Sequence, residues 1–216
     1  MIMDNEFTRS IKEYLDKNLD IAKMMAEQAP KIAEMAKVID TARNDGKLIF
    51  VMGNGGSAST ASHLAQDLNK AATREGKRRF RSISLNDNIP IMLAIANDDA
   101  YENVFVEQLK NFMSEGDIVI GLSGSGNSKN VLNAIEYANQ HGGITIGWTG
   151  FGGGRLAKMV KYSIVVPDSS VRADPQVPDG GLDDRMQTSE NFHLVLTHAL
   201  IVAFRRSDDP ATYLKP

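Results

Sequence analysis

The stretch VMGNGGSASTASHLAQD, Val51 to Asp67, decides how the chain is read. An apolar run ends at Gly53, two adjacent glycines and small hydroxylated residues follow, and a helical pattern begins. That order describes a strand, a loop and a helix. Glycines let a loop backbone adopt positive φ and approach a ligand closely. The unpaired N–H groups at the start of the helix aim at the same place. Asn54, Gly55, Gly56 and Ser57 are therefore candidate ligand-binding residues. His63 and Asp67 stand four residues apart on the helix behind the loop, so they share a face. This spacing suits two side chains gripping one cation, or a carboxylate set beside an imidazole.

Working outward, five runs read as strands: 47–53 (KLIFVMG), 81–85 (RSISL), 117–123 (DIVIGLS), 144–150 (ITIGWTG) and 163–167 (SIVVP). Each is short, rich in branched apolar residues and bounded by Gly, Asp or Ser. They lack the alternation of a half-exposed sheet, which predicts strands buried on both faces. Helical spacing at 57–72, 103–112 and 127–140 predicts right-handed crossovers and a parallel sheet between helix layers. The expected fold is α/β, a three-layer α-β-α sandwich. Two amphipathic helices precede it, over 4–29 and from about 32 to Gly46, with a break near Pro30. They exceed what a small sheet needs for cover, and their surplus apolar face suits a subunit interface. Residues 167–185 form a long Pro-, Asp- and Gly-rich loop, and one strong helix, 187–204, closes the chain. The expected organisation is 1–46 as oligomerisation helices, 47–207 as the α/β domain and 208–216 as a tail.

A second strand–loop–helix turn reads SGSGNS, Ser123 to Ser128. Ser123, Gly124, Ser125 and Ser128 leave no bulky side chain in the way of a phosphate, and the following helix turns its positive dipole end to the loop. GNGGSA formally fits the dinucleotide fingerprint, with Asp87 as the ribose-binding acid. The serine loop has no part in that chemistry, and no P-loop motif occurs. On the last helix, Glu190 and His198 are eight residues apart, about 80° around the axis. His193 takes another bearing. Embedded in apolar residues, His198 reads by itself as a hydrogen-bonded core histidine.

Composition narrows the class. At 216 residues, with 42% apolar and 24% charged content, the chain suits one soluble globular domain. A net charge of −3 argues against a general nucleic-acid binder. The basic run Arg74 to Arg81 reads as a solvated turn. With no cysteine there are no disulfides, thiolate zinc sites or cysteine nucleophiles, which fits a reducing cytoplasm. The N-terminus MIMDNEF lacks a signal pattern, and the apolar stretch Leu194 to Phe204 is too short to span a bilayer. A cytoplasmic protein with no nucleic-acid or membrane partner is expected.

GNGGSASTASHLAQDL, the AND of 96–98, LSGSGNS and FHLVLTH together resemble the sugar isomerase (SIS) family, and within it the phosphoheptose isomerase branch. The resemblance covers nearly the whole chain. It implies a five-stranded parallel sheet (an SIS domain) assembled as a homotetramer with helices bundled at its centre. It implies ketose–aldose isomerisation of sedoheptulose 7-phosphate to D-glycero-D-manno-heptose 7-phosphate through an enediol, a reaction that opens heptose biosynthesis. By the same resemblance Asn54, Gly55, Gly56 and Ser57 form the first substrate loop, and Ser123, Gly124, Ser125 and Ser128 the phosphate loop. Asn97 and Asp98 would contact the sugar chain. Asp67 would be the base and His198 its acid–base partner. His63, Asp67, Glu190 and His198 would hold zinc, with Glu190 also touching substrate.

Three positions depart from the family pattern. Asp67 stands for the usual Glu, and Gly124 for an expected Thr. Glu190 stands for a Gln ligand, unless the alignment shifts to Gln187. The alternative function is a noncatalytic SIS protein that binds a sugar phosphate or a protein partner such as a replication initiator. Such a protein would not need His63, an acid at 67 and His198 together.

Overall fold

The structure, a computed structural model, describes residues 5–168 and 184–208. Helix α1 (Glu6–Glu27) begins where the Asn5 side chain accepts from the Thr8 N–H and supplies a partner to an otherwise unpaired donor. Helix α2 (Ala29–Asp45) carries Pro30 in its first turn, so the break falls at Gln28 and the proline starts the second helix. Gln28 Nε2 donates to the Val165 carbonyl at 2.9 Å, which ties this junction to the sheet. α2 ends at Gly46 in the left-handed region (φ 73). Part of the basic run closes that helix end: Arg78 and Arg81 each donate, at 2.8 Å, to the carbonyls of Asn44 and Gly46.

Strands β1 (Leu48–Met52), β2 (Arg81–Ser84), β3 (Ile118–Ser123), β4 (Ile144–Thr149) and β5 (Tyr162–Val165) form one parallel sheet in the order β2-β1-β3-β4-β5. The middle strands are buried as expected, with every residue of β3 enclosed. The edge strand β2 corrects the expectation of burial on both faces. It alternates, with Arg81 and Ile83 outward and Ser82 and Ser84 inward, because an edge strand lies at the limit of the covering helices.

Alternation along each inner strand splits the core in two. Ile49, Val51, Ile120, Leu122, Ile146 and Trp148 face α2, α3 (Gly56–Asn69) and α8 (Arg185–Asp208). Phe50, Met52 and Val119 face the other layer, built from α4 (Ile89–Asp98), α5 (Val106–Phe112), α6 (Lys129–Gln140) and α7 (Leu156–Met159). Each fully buried large side chain contributes about 1.5–3 kcal/mol. Neither α4 nor α7 was expected from the sequence, and a 3₁₀ turn at Tyr101–Asn103 replaces the expected start of the helix at 103.

α1 is mostly outside this core. It buries Ile21 and Met25, but Phe7, Ile11, Leu15 and Leu19 are 78%, 61%, 58% and 63% exposed. Four-residue spacing places them in one stripe. No described helix is long and apolar enough to cross a membrane. The interior of the expected long loop, 169–183, and the tail beyond 208 lie outside the described residues.

In the order 2-1-3-4-5 the chain switches direction between β1 and β3, and the carboxyl ends of those two strands bound the crevice where open α/β sheets take ligands. The two glycine–serine loops follow β1 and β3.

Candidate active site

The β1 loop is braced from both sides. Gly53 N–H donates to Asn86 Oδ1 at 3.1 Å, and Asn86 Nδ2 donates back to the Gly53 carbonyl at 2.8 Å. A Cβ at Gly53 would lie 2.8 Å from the Ser57 backbone, so the turn closes only around glycine. Asn54 pairs amide to amide with Asn130 on α6: Asn54 Nδ2 donates at 2.9 Å and Asn130 Nδ2 returns a bond at 2.8 Å. Tyr101 Oη also donates to Asn54 Oδ1, at 2.8 Å. Ser57 is buried in the first turn of α3. Sequence reading missed Asn86, Tyr101 and Asn130, because each acts through a partner 33 or more residues away and belongs to no local motif.

In the β3 loop the hydroxyls of Ser123 and Ser128 lie 3.0 Å apart. Ser123 Oγ accepts from the Gly126 N–H at 3.1 Å, and Ser125 Oγ accepts from the Asn127 N–H at 3.3 Å. Ser128 stands at the N-cap of α6 without bonding the helix, which leaves its hydroxyl turned to the loop. A third loop, Phe151–Gly154 after β4, holds positive φ at four successive residues. It packs against the second: a Cβ at Gly126 would lie 2.1 Å from the Gly153 carbonyl oxygen. Its signal, GFGGG at 150–154, was present in the sequence but not singled out.

α3 and α8 bring His63, Asp67 and His198 together. His63 Nε2 lies 3.2 Å from Asp67 Oδ2, His198 Nε2 lies 3.1 Å from His63 Nε2, and His198 Nε2 lies 4.0 Å from Asp67 Oδ2. The Asp67 side chain is 13% exposed and those of His63 and His198 are 39% and 56% exposed. Four ligands held about 2.0–2.1 Å from a tetrahedral zinc are about 3.3 Å from one another. The three edges bracket that figure, so two imidazoles and a carboxylate fit a divalent cation here. His198 is thus not the core histidine that its apolar surroundings suggested. That place belongs to His193, which is fully buried near Trp148. Burial pushes the His193 pKa down to about 4, with the Thr149 backbone opposing weakly. Neither of its ring nitrogens completes a well-formed hydrogen bond among the described residues.

Glu190, expected as the fourth ligand, is not brought into this group. Eight residues along a helix span about 12 Å, and its carboxylate lies instead over Gly56, at the start of α3. Gln187 sits on the exposed side of the first turn of α8. Asn97 and Asp98 end α4, where Asn97 Nδ2 donates to Asp98 Oδ1 at 2.7 Å. Nearby Tyr101, rather than either of them, reaches the β1 loop. Asp87, the acid of the dinucleotide alternative, accepts from Ser62 Oγ at 2.5 Å on the outer part of α3.

A parallel sheet between two helix layers, with a glycine loop and a serine loop at its switch point and a His–Asp–His cluster between α3 and α8, defines a class. The chain belongs to the SIS domain family, whose model matches residues 13–150. It is similar to the phosphoheptose isomerase of Geotalea daltonii, with 40% identity over 154 residues, covering 71% of this chain and 78% of that protein. The solved phosphoheptose isomerase of Neisseria gonorrhoeae superposes with a TM-score of 0.77 at 25% identity, covering 92% of this chain and 98% of the other. The Francisella tularensis structure of the same name shares the fold, with a TM-score of 0.81 at 22% identity over 94% and 100% of the two chains.

Proposed function

We propose that the chain is a phosphoheptose isomerase that interconverts sedoheptulose 7-phosphate and D-glycero-D-manno-heptose 7-phosphate. The observation that carries this reading is the His63–Asp67–His198 cluster, built on the helix that the first of two loops suited to a sugar phosphate begins. The 40% identical relative supports it.

The phosphate end of the substrate belongs in the serine loop, where Ser123, Ser125 and Ser128 offer hydroxyl donors and Gly124 leaves room for close approach. Asn54, held by Asn130 and Tyr101, presents its loop to the sugar chain, with Gly55, Gly56 and Ser57 beside it. Asn97 and Asp98 would complete the sugar contacts from the end of α4.

Isomerisation moves a proton between adjacent carbons through an enediol. Asp67 acts as the base that takes the proton from the carbon next to the carbonyl. Its Oδ2 faces both imidazoles, while no described group bonds Oδ1, which leaves that oxygen for the substrate. His198, the more exposed imidazole, exchanges the proton on the substrate oxygens through the ring nitrogen that a bound cation leaves free. Groups so placed contribute on the order of 10²–10⁴-fold each. A divalent cation, zinc by donor type, would be held by His63, Asp67 and His198 and would polarise the carbonyl and hydroxyl oxygens. Glu190 then serves the substrate side from over Gly56.

We further propose that α1 and α2 form the centre of a homotetramer in a cytoplasmic enzyme, the stripe Phe7–Ile11–Leu15–Leu19 packing against its counterparts in the other subunits. The test of activity is conversion: purified protein with sedoheptulose 7-phosphate should yield aldose phosphate, and unphosphorylated sedoheptulose should react far more slowly. Absence of aldose with or without added zinc would exclude the isomerase and leave a sugar-phosphate binder.

A further inference from the structure

Three glycines, one beside each of the three loops, face α8. A Cβ at Gly124 would lie 2.6 Å from Met186 Sδ, and one at Gly150 would lie 1.9 Å from Ser189 Oγ. One at Gly56 would lie 2.3 Å from the Glu190 carboxylate. All three opposed side chains come from the first two turns of one helix. We propose that this part of α8 is keyed into the three loops, and that Met186 and Ser189 are positioning residues that set the phosphate loop against the His63–Asp67–His198 cluster.

The seat has the rigidity this needs. Ser189 is buried, and its hydroxyl donates to the Arg185 carbonyl at 2.8 Å, which fixes the oxygen that faces Gly150. Gly150 N–H donates to the Gly124 carbonyl at 2.9 Å, so the second and third loops move as a unit. Met186 closes over that unit, with Phe151 against the same face of Gly124. The rod that ends in these contacts also carries His198, about 12–18 Å further along at 1.5 Å per residue. A helix displaced at its seat therefore shifts an acid–base residue relative to the phosphate site. A shift of about 1 Å in reacting geometry is enough to lower turnover heavily.

The proposal rests on the isomerase reading for its kinetic test. The experiment is a double-mutant cycle in the full-length protein: Gly150→Ala, Ser189→Gly and the pair. Each is assayed for kcat and KM with sedoheptulose 7-phosphate and for inhibition by inorganic phosphate. Gly150→Ala alone should lower kcat about tenfold, with phosphate inhibition within about twofold of wild type because the serine loop is intact. Adding Ser189→Gly should restore kcat to within about threefold. Wild-type kcat in Gly150→Ala, or a pair whose losses simply add, would overturn the proposal.

If Gly150→Ala does not fold, the cycle of Gly124→Ala with Met186→Ala decides, since the opposed atom there ends a flexible side chain. The first change should cost about threefold in kcat and the second should recover it; no recovery overturns the proposal. Thermal midpoints across the same cycles read the seat without turnover. A wild type that does not isomerise the sugar phosphate rejects the function, whereas midpoints that add independently reject the seat.

Discussion

His63 Nε2 and His198 Nε2 stand 3.1 Å apart although 135 residues separate them in the chain. Two ring nitrogens facing each other at that distance beside the Asp67 carboxylate suit a common cation, whose charge the carboxylate balances. Zinc should therefore bind at one site per chain in calorimetry. His63→Gln, Asp67→Ala and His198→Gln should each weaken it by about a hundredfold. Glu190→Gln, lying outside the cluster, should change affinity by less than about threefold. Unchanged binding in His63→Gln would place the metal elsewhere.

The Asn54–Asn130 pair predicts a stability effect with a kinetic companion. Asn130 is 2% exposed, and its amide both gives to and takes from Asn54. Asn130→Leu leaves Asn54 Nδ2 without its acceptor and should cost about 1–3 kcal/mol in denaturant unfolding. The released β1 loop should also raise KM for the sugar phosphate. Wild-type stability and KM in this variant would contradict the bracing role.

His193 predicts a pH dependence of stability. Its pKa is about 4 in the folded protein against 6.5 for the free side chain, so the unfolded chain takes up a proton first as pH falls. The contribution of His193 to stability is complete above about pH 6.5, declines as pH drops toward 4 and levels off below, a loss of about 3 kcal/mol from this group. Urea unfolding at a series of pH values should show this slope in wild type and a flatter one in His193→Leu. Equal slopes would contradict it.

The exposed stripe of α1 predicts assembly. Wild type should run as a tetramer by light scattering, and Leu15→Glu with Leu19→Glu should release smaller, folded species. An unchanged mass would remove α1 from the interface.

Much of this arrangement was legible in the sequence because it is local. β1, β3 and β4 are short branched runs with turn residues at each end, and their ends fell within about two residues of expectation. His63 and Asp67 share one helix, so spacing alone paired them. α4 was not foreseen because IPIMLAIAND is apolar all round and has no amphipathic period; it buries no residue fully. His193, for which no role was expected, takes the core place that the apolar surroundings of His198 suggested for His198. The bearing of α8 against the sheet, which no local pattern records, turns His193 under Trp148 and His198 toward α3. Glu190 shared a helix with His198, but two turns of rise carried it to Gly56. The Asn54–Asn130 pair joins residues 76 apart in sequence and needed the fold to be seen.

The most direct measurement of the central claim is solvent deuterium at C2. Sedoheptulose 7-phosphate is incubated in deuterated water with wild type and with Asp67→Asn, and the products are read by NMR. Proton transfer by Asp67 predicts aldose phosphate carrying deuterium at C2 with wild type, and neither aldose nor exchange with Asp67→Asn. Aldose carrying hydrogen transferred from C1, or full exchange in Asp67→Asn, would contradict proton transfer by the cluster at Asp67.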